Sequence, residues 1–195
     1  MKKTSIFVLS FCLVLVTTIC QAEIFVNQIS PKPVSVAMAS YIGGPEMVSR
    51  FVLTSAVDLQ KITWTGLIAN KGEGLYPFTI RLYDSQGKRP KRKSFVEFKG
   101  DAQLTTTDSR NLFTYTLDDN FHLPAGRYWI SILYAGASED MFSIQLEDAT
   151  YGHGGAARIT SESIWFPLNF IFPYPYLLSR GASIRIEGES ASVKE

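Results

Sequence analysis

Residues 126–134 read GRYWISILY, and this stretch decides the fold. Tyr128, Ile130, Ile132 and Tyr134 alternate with Arg127, Trp129, Ser131 and Leu133. Successive side chains of an extended chain point to opposite faces, so a period of two marks a strand with one face on a core. A helix would group its apolar residues every three or four positions instead. Pro124-Ala125-Gly126, at the head of the stretch, supplies a turn.

The same period runs outward in both directions. Upstream, Phe78, Ile80 and Leu82 alternate with Thr79, Arg81 and Tyr83, and Phe113, Tyr115 and Leu117 alternate with Thr114 and Thr116. Downstream, Phe142, Ile144 and Leu146 alternate with Ser143, Gln145 and Glu147, and Ile184 and Ile186 with Ser183, Arg185 and Glu187. Shorter apolar runs lie at Phe51–Leu53, Leu59–Trp64 and Phe95–Phe98. Turn signals punctuate them at Gly43-Gly44-Pro45, Asn70–Gly74, Asp84–Gly87, Asp118–Asn120 and Gly152–Gly155. No stretch has the length and caps of a long helix. The pattern predicts an all-β chain, a single antiparallel β-sandwich or jelly-roll-like domain of about nine to eleven strands. The 195 residues, 46% of them hydrophobic and 19% charged, suffice for one core and exclude a disordered chain. A net charge of +1 gives no general attraction to nucleic acid.

The N-terminus reads as an export signal. Lys2 and Lys3 precede an apolar run from Ile6 to Ile19, and Cys20-Gln21-Ala22 offers small residues for cleavage after Ala22. The run is shorter than the roughly 20 residues of a bilayer span, which disfavours an uncleaved anchor. Ile19 before Cys20 disfavours a lipoprotein. Residues 1–22 are therefore expected to be a signal peptide, 23–188 the β-sandwich domain and 189–195 a frayed tail without apolar content. Cleavage removes both cysteines, Cys12 and Cys20, and with them disulfides and thiolate chemistry. The expected product is secreted or periplasmic, in the style of bacterial export, with no membrane segment after cleavage.

Five segments taken together resemble a β-sandwich domain recurrent in bacterial exported proteins, many of which carry a C-terminal sorting tail. They are RFVLTSAVDLQKITWTG at 50–66, PFTIRLYDSQGKRP at 77–90, FHLPAGRYWISI at 121–132, GHGGAAR at 152–158 and ASIRIEG at 182–188. The resemblance implies a sandwich fold over about 50–188 and carries over no catalytic residue. The sorting tail is absent here, and the long apolar segment at 164–178 replaces the usual short Trp-rich hairpin.

Few residues advertise chemistry. His122 alternates with Phe121 and Leu123 and is expected to face solvent, and His153 sits in a glycine turn. Two distant histidines make neither a triad nor a zinc site, so no catalytic residue, metal or cofactor is assigned. Asp118-Asp119-Asn120 and Glu139-Asp140 read as solvated turns, each short of the six to eight oxygens calcium takes.

Two features stand out. Lys88, Arg89, Lys91, Arg92 and Lys93 put five positive charges into six residues, after a hairpin signal at Ser85-Gln86-Gly87. In an exported chain the run reads either as a solvated loop or as a patch for an anionic polysaccharide, lipid headgroup or protein partner. Ile164–Leu178, IWFPLNFIFPYPYLL, is rich in aromatics, with three prolines and no charge. The prolines forbid a regular helix or central strand, which leaves a core-crossing plug or an exposed aromatic surface. Trp129 falls on the nominally polar face and Trp64 on the inward one. A non-enzymatic carbohydrate-binding module would use Trp129, Trp165, Phe170, Tyr174 and Tyr176 to stack on sugar. A surface or matrix assembly protein would use 164–178 as an interface, and a jelly-roll hydrolase is the third class.

Overall fold

The structure, a computed structural model, describes residues 22–29, 37–69, 72–107, 110–137, 140, 142–147, 154–160, 163–168 and 181–191. Residues 1–21 of the expected signal peptide lie outside them, as do His153, Glu139 and positions 169–178 of the apolar segment.

Every named element is a β-strand. The chain runs through β1 (Glu23–Asn27), β2 (Ala37–Ala39), β3 (Glu46–Leu53), β4 (Val57–Leu67) and β5 (Gly74–Gln86). It continues through β6 (Arg89–Pro90), β7 (Val96–Thr106), β8 (Asn111–Leu123) and β9 (Gly126–Tyr134). The last five are β10 (Ser143–Glu147), β11 (Gly155–Arg158), β12 (Phe166–Pro167), β13 (Gly181–Ala182) and β14 (Ile184–Ser190). The named ladders are antiparallel, in the order β1-β14-β4-β8-β7-β5-β9-β3-β11-β12, and the sheet curls into a half-barrel. β10 pairs with β2, with β13 and with the end of β4, off that path. The all-β, sandwich-like expectation holds, with fourteen strands because four short ones of two or three residues were invisible to periodicity.

The alternating sets converge on one core. Ile62 and Trp64 of β4, Phe78, Ile80 and Leu82 of β5, Phe113 of β8, Ile130 and Ile132 of β9 and Ile184 and Ile186 of β14 are all buried there. Phe78 is its hub, with ring centroids at 4.8 Å from Trp64, 5.0 Å from Phe142, 5.3 Å from Phe113 and 5.4 Å from Tyr134. Edge-to-face contacts of this kind add to area burial because a ring's positive edge meets its neighbour's negative face. Phe142, at the entrance to β10, also packs on Phe113, which joins the side ladder to the main sheet.

Two expected features are corrected. Asp118–Asn120 is not a chain reversal but lies inside β8. Leu59 pairs with Phe121 while Lys61 already pairs with Thr116, so residues 117–120 bulge out opposite Gln60 alone. Polar, turn-forming residues serve a bulge as well as a turn, and local composition does not separate the two. Glu189 and Ser190, placed in the frayed tail, belong to β14 and pair with Asp58 and Val57. Ladder hydrogen bonds need no apolar side chain. Gly188 sits where β14 shifts register against β4, and a Cβ there would lie 2.4 Å from the Asp58 carbonyl oxygen.

Candidate functional site

The outer face of β3, β9, β5 and β11 carries a second buried cluster: Val48, Tyr83, Trp129, Ala156 and Trp165. Strand register builds it. Ala156 of β11 pairs with Val48 of β3, Val48 with Ser131 of β9, Ser131 with Arg81 of β5, and Arg81 with Glu97 of β7. One row of side chains thus crosses five strands on the face opposite the main core. Flanking it, Arg158 pairs with Glu46, and Trp129 with Tyr83.

Charged groups are buried in this layer. The side chains of Arg158 and Glu46 are 5% and 4% exposed and form an ion pair with Nη2 to Oε2 at 2.6 Å. Arg158 Nε donates to the same oxygen at 2.9 Å, and the Tyr83 hydroxyl donates to Glu46 Oε1 at 2.6 Å. Burial, then the field and hydrogen bond of Glu46, push the Tyr83 pKa well above its usual value, so the phenol stays a donor. Arg81 reaches Glu46 at 3.4 Å and Glu97 Oε2 at 2.5 Å. Burial opposes the Arg81 charge, but Glu97 and Glu46 outweigh it and the pKa rises. Hydrogen bonds from Lys99 and Arg81 lower that of Glu97.

This layer holds the basic run in place. Gly87 and Lys88 form the turn between β5 and β6, with Gly87 at φ 62° and Ser85 paired to Pro90, which confirms the hairpin tip. A positive φ costs glycine nothing, as there is no Cβ to clash. Beyond Pro90 the chain folds back over the outer face. Trp165 Nε1 donates to the Lys91 carbonyl at 3.2 Å, and Arg158 Nη1 to the Arg92 carbonyl at 3.1 Å. Trp165 also stacks on Arg158, whose guanidinium carbon lies 4.4 Å from the indole centroid. Lys91 Nζ bonds Asp84 at 2.8 Å.

An open cleft of about 670 Å³ results, lined by Arg81, Tyr83, Arg92, Lys93, Ser94, Glu97 and Arg158. Four cations line it against one carboxylate, Glu97, with Glu46 beneath the floor. Such a cleft suits phosphate, sulfate or carboxylate groups, which arginine binds through paired N–H donors.

The expected contacts divide accordingly. Arg92 and Lys93 line the cleft, Lys91 is held by Asp84, and Lys88 and Arg89 sit at the hairpin tip outside the lining. Trp129 does lie on the outer face, yet it is only 4% exposed and donates from Nε1 to Ser85 Oγ at 3.0 Å. Trp165 is 5% exposed beneath the basic loop. Neither presents a face to sugar, because each is covered by its own cluster, so the stacking role expected of them is corrected. Phe170, Tyr174 and Tyr176 lie outside the described residues. Trp64 is core, and His122 is solvent-facing, with Nδ1 2.8 Å from Asp58. Among the described residues, no group of three or more His, Cys, Asp or Glu is gathered as for a metal, and no helix is long and apolar enough to cross a membrane.

No protein-family model matches the chain, and no curated protein matches its sequence. The site therefore stands on its own geometry. Glu46, Arg81, Tyr83, Glu97 and Arg158 were missed as site residues. Arg81 and Tyr83 fall on the side of their strand that alternation assigns to water. Glu46 and Arg158 are 112 residues apart, so no local spacing joins them.

Proposed function

We propose that the chain is a non-enzymatic binding module of an exported protein, and that it takes an anionic ligand in the cleft between β5, β7 and the 91–94 segment. One observation carries this reading: Arg81, Arg92, Lys93 and Arg158 line a single opening, four cations against Glu97, which pairs with Arg81, and Glu46, which pairs with Arg158. Arg81 and Arg158 are pre-positioned by Glu97 and Glu46, so these two side chains have little entropy left to lose on binding. Sugar stacking has less support, with Trp129 and Trp165 buried.

Heparin, a polyanion, tests this against neutral dextran by calorimetry. Heparin binds, weakening as salt rises, and dextran does not. The double variant Arg92→Ala/Lys93→Ala lowers heparin affinity at least about tenfold, since each lost cation near an anionic surface is worth about 1 kcal/mol. Equal binding of both polymers, or a double variant that binds heparin like the parent, would remove the cleft as the site.

A further inference from the structure

We propose that the anion met by this cleft is the headgroup layer of a lipid bilayer, with Ile159 and Ile164 entering the surface beside it; the inference rests on the anion-binding reading above. Ile159 and Ile164 are 64% and 63% exposed, and Phe95, next to the basic run, is 42% exposed. The two isoleucines flank a closed turn. Ser163 N donates to the Thr160 carbonyl at 3.0 Å, and the two hydroxyl oxygens lie 2.9 Å apart. This turn springs from the floor of the basic loop, because the residues bracketing it are the two that hold that loop. Arg158 precedes Ile159 and bonds the Arg92 carbonyl, and Trp165 follows Ile164 and bonds the Lys91 carbonyl. The residues next to the isoleucine pair are therefore tied directly to the backbone of the basic run at Lys91 and Arg92.

That combination fits a bilayer better than a soluble polyanion. A hydrated polysaccharide rewards cations and aromatic faces but has no apolar layer to receive aliphatic side chains. A bilayer surface rewards both signals at once, and stable attachment takes two of them, such as an inserted apolar group plus a basic patch. The described carboxylates beside the cleft are each met by a cation of the same face, Asp84 by Lys91 and Glu97 by Arg81.

Vesicle co-sedimentation of the exported chain decides the matter, using phosphatidylcholine alone or phosphatidylcholine mixed with phosphatidylglycerol. Variants are compared in the same exported form, so that residues 6–19 contribute equally if they are retained. The parent is expected to bind the anionic vesicles at least about tenfold better than the neutral ones. Ile159→Ser/Ile164→Ser is expected to lose about tenfold of that binding while holding heparin and thermal stability unchanged, since both side chains project into water. Arg92→Ala/Lys93→Ala is expected to weaken vesicles and heparin together. If heparin binds but anionic vesicles do no better than neutral ones, or the serine variant binds vesicles like the parent, the bilayer proposal is overturned. The anion site then survives with a soluble polyanion such as an acidic polysaccharide as its ligand. If neither heparin nor anionic vesicles bind, both proposals fall.

Discussion

The two faces of the curled sheet bury side chains by opposite means. The inner face is apolar and aromatic, centred on Phe78 and the four rings around it. The outer face over β3, β9, β5 and β11 is also buried in its middle, at Val48, Ser131, Trp129 and Ala156, yet it encloses an ion pair and a tyrosine. Apolar burial is non-directional and tolerates variation, so the inner face serves the fold. Buried charges need partners at close range, at a cost in desolvation. Those partners, Glu46 for Arg158 and Glu97 for Arg81, set where two of the cleft cations lie.

Phe78→Ala should have the largest effect. It empties the centre of the aromatic group and should cost about 3–5 kcal/mol, read as a fall in the denaturant midpoint. A loss below about 1 kcal/mol would mean that the inner face is not the main source of stability.

Glu46→Ala comes next. It strands Arg158 and Tyr83 in a buried layer, takes a second carboxylate from Arg81, and should cost roughly 3–5 kcal/mol. The double variant Glu46→Leu/Arg158→Met should recover most of that loss, since removing both charges leaves neither uncompensated. It should nevertheless weaken heparin binding, because the anchor of the Arg92 carbonyl is gone. A double variant as unstable as the single one would show that the ion pair contributes net stability, and the contrast between the faces would dissolve.

Tyr83→Phe is the smallest of the three. It removes the short hydrogen bond donated to Glu46, worth about 1.5–3 kcal/mol near neutral pH, and the longer one accepted from Arg158 Nη2 at 3.3 Å. It also tests the alkaline behaviour. The folded pKa of Tyr83 is raised by burial and by Glu46, and burial raises Tyr115 and Tyr128 as well. Above about pH 10 the unfolded chain ionises these phenols while the folded chain keeps their protons. Their stabilisation is therefore complete below that pH and is lost as pH rises towards the folded values. Midpoints measured from neutral to alkaline pH should fall more gently for Tyr83→Phe than for the parent. Identical slopes would place the Tyr83 hydroxyl in contact with water.

Much of the fold was legible in the sequence and little of the site was. Phe78-Ile80-Leu82, Tyr128-Ile130-Ile132 and Ile184-Ile186 announced strands with one buried face, because a period of two is a property of the extended backbone. The 87–88 turn was readable from Gly87 in the same way. The bulge at 117–120 was not, since the same polar residues would suit a turn. Of the cleft, Arg92 and Lys93 were visible as charge, whereas Arg81 and Tyr83 looked like ordinary solvent-facing alternates.

The sequence by itself determined that this chain would be all-β, where its main core would lie and where its charge would be densest. Those properties follow from neighbours along the chain. Only the tertiary structure decided that the polar face would be buried over four strands, that Trp129 and Trp165 would be covered, and that Glu46 and Arg158 would meet. Register across β11, β3, β9, β5 and β7 brings distant residues into one row. The curl of the sheet and the fold-back of 91–94 then turn that row into a site, and neither has a local signature in the sequence.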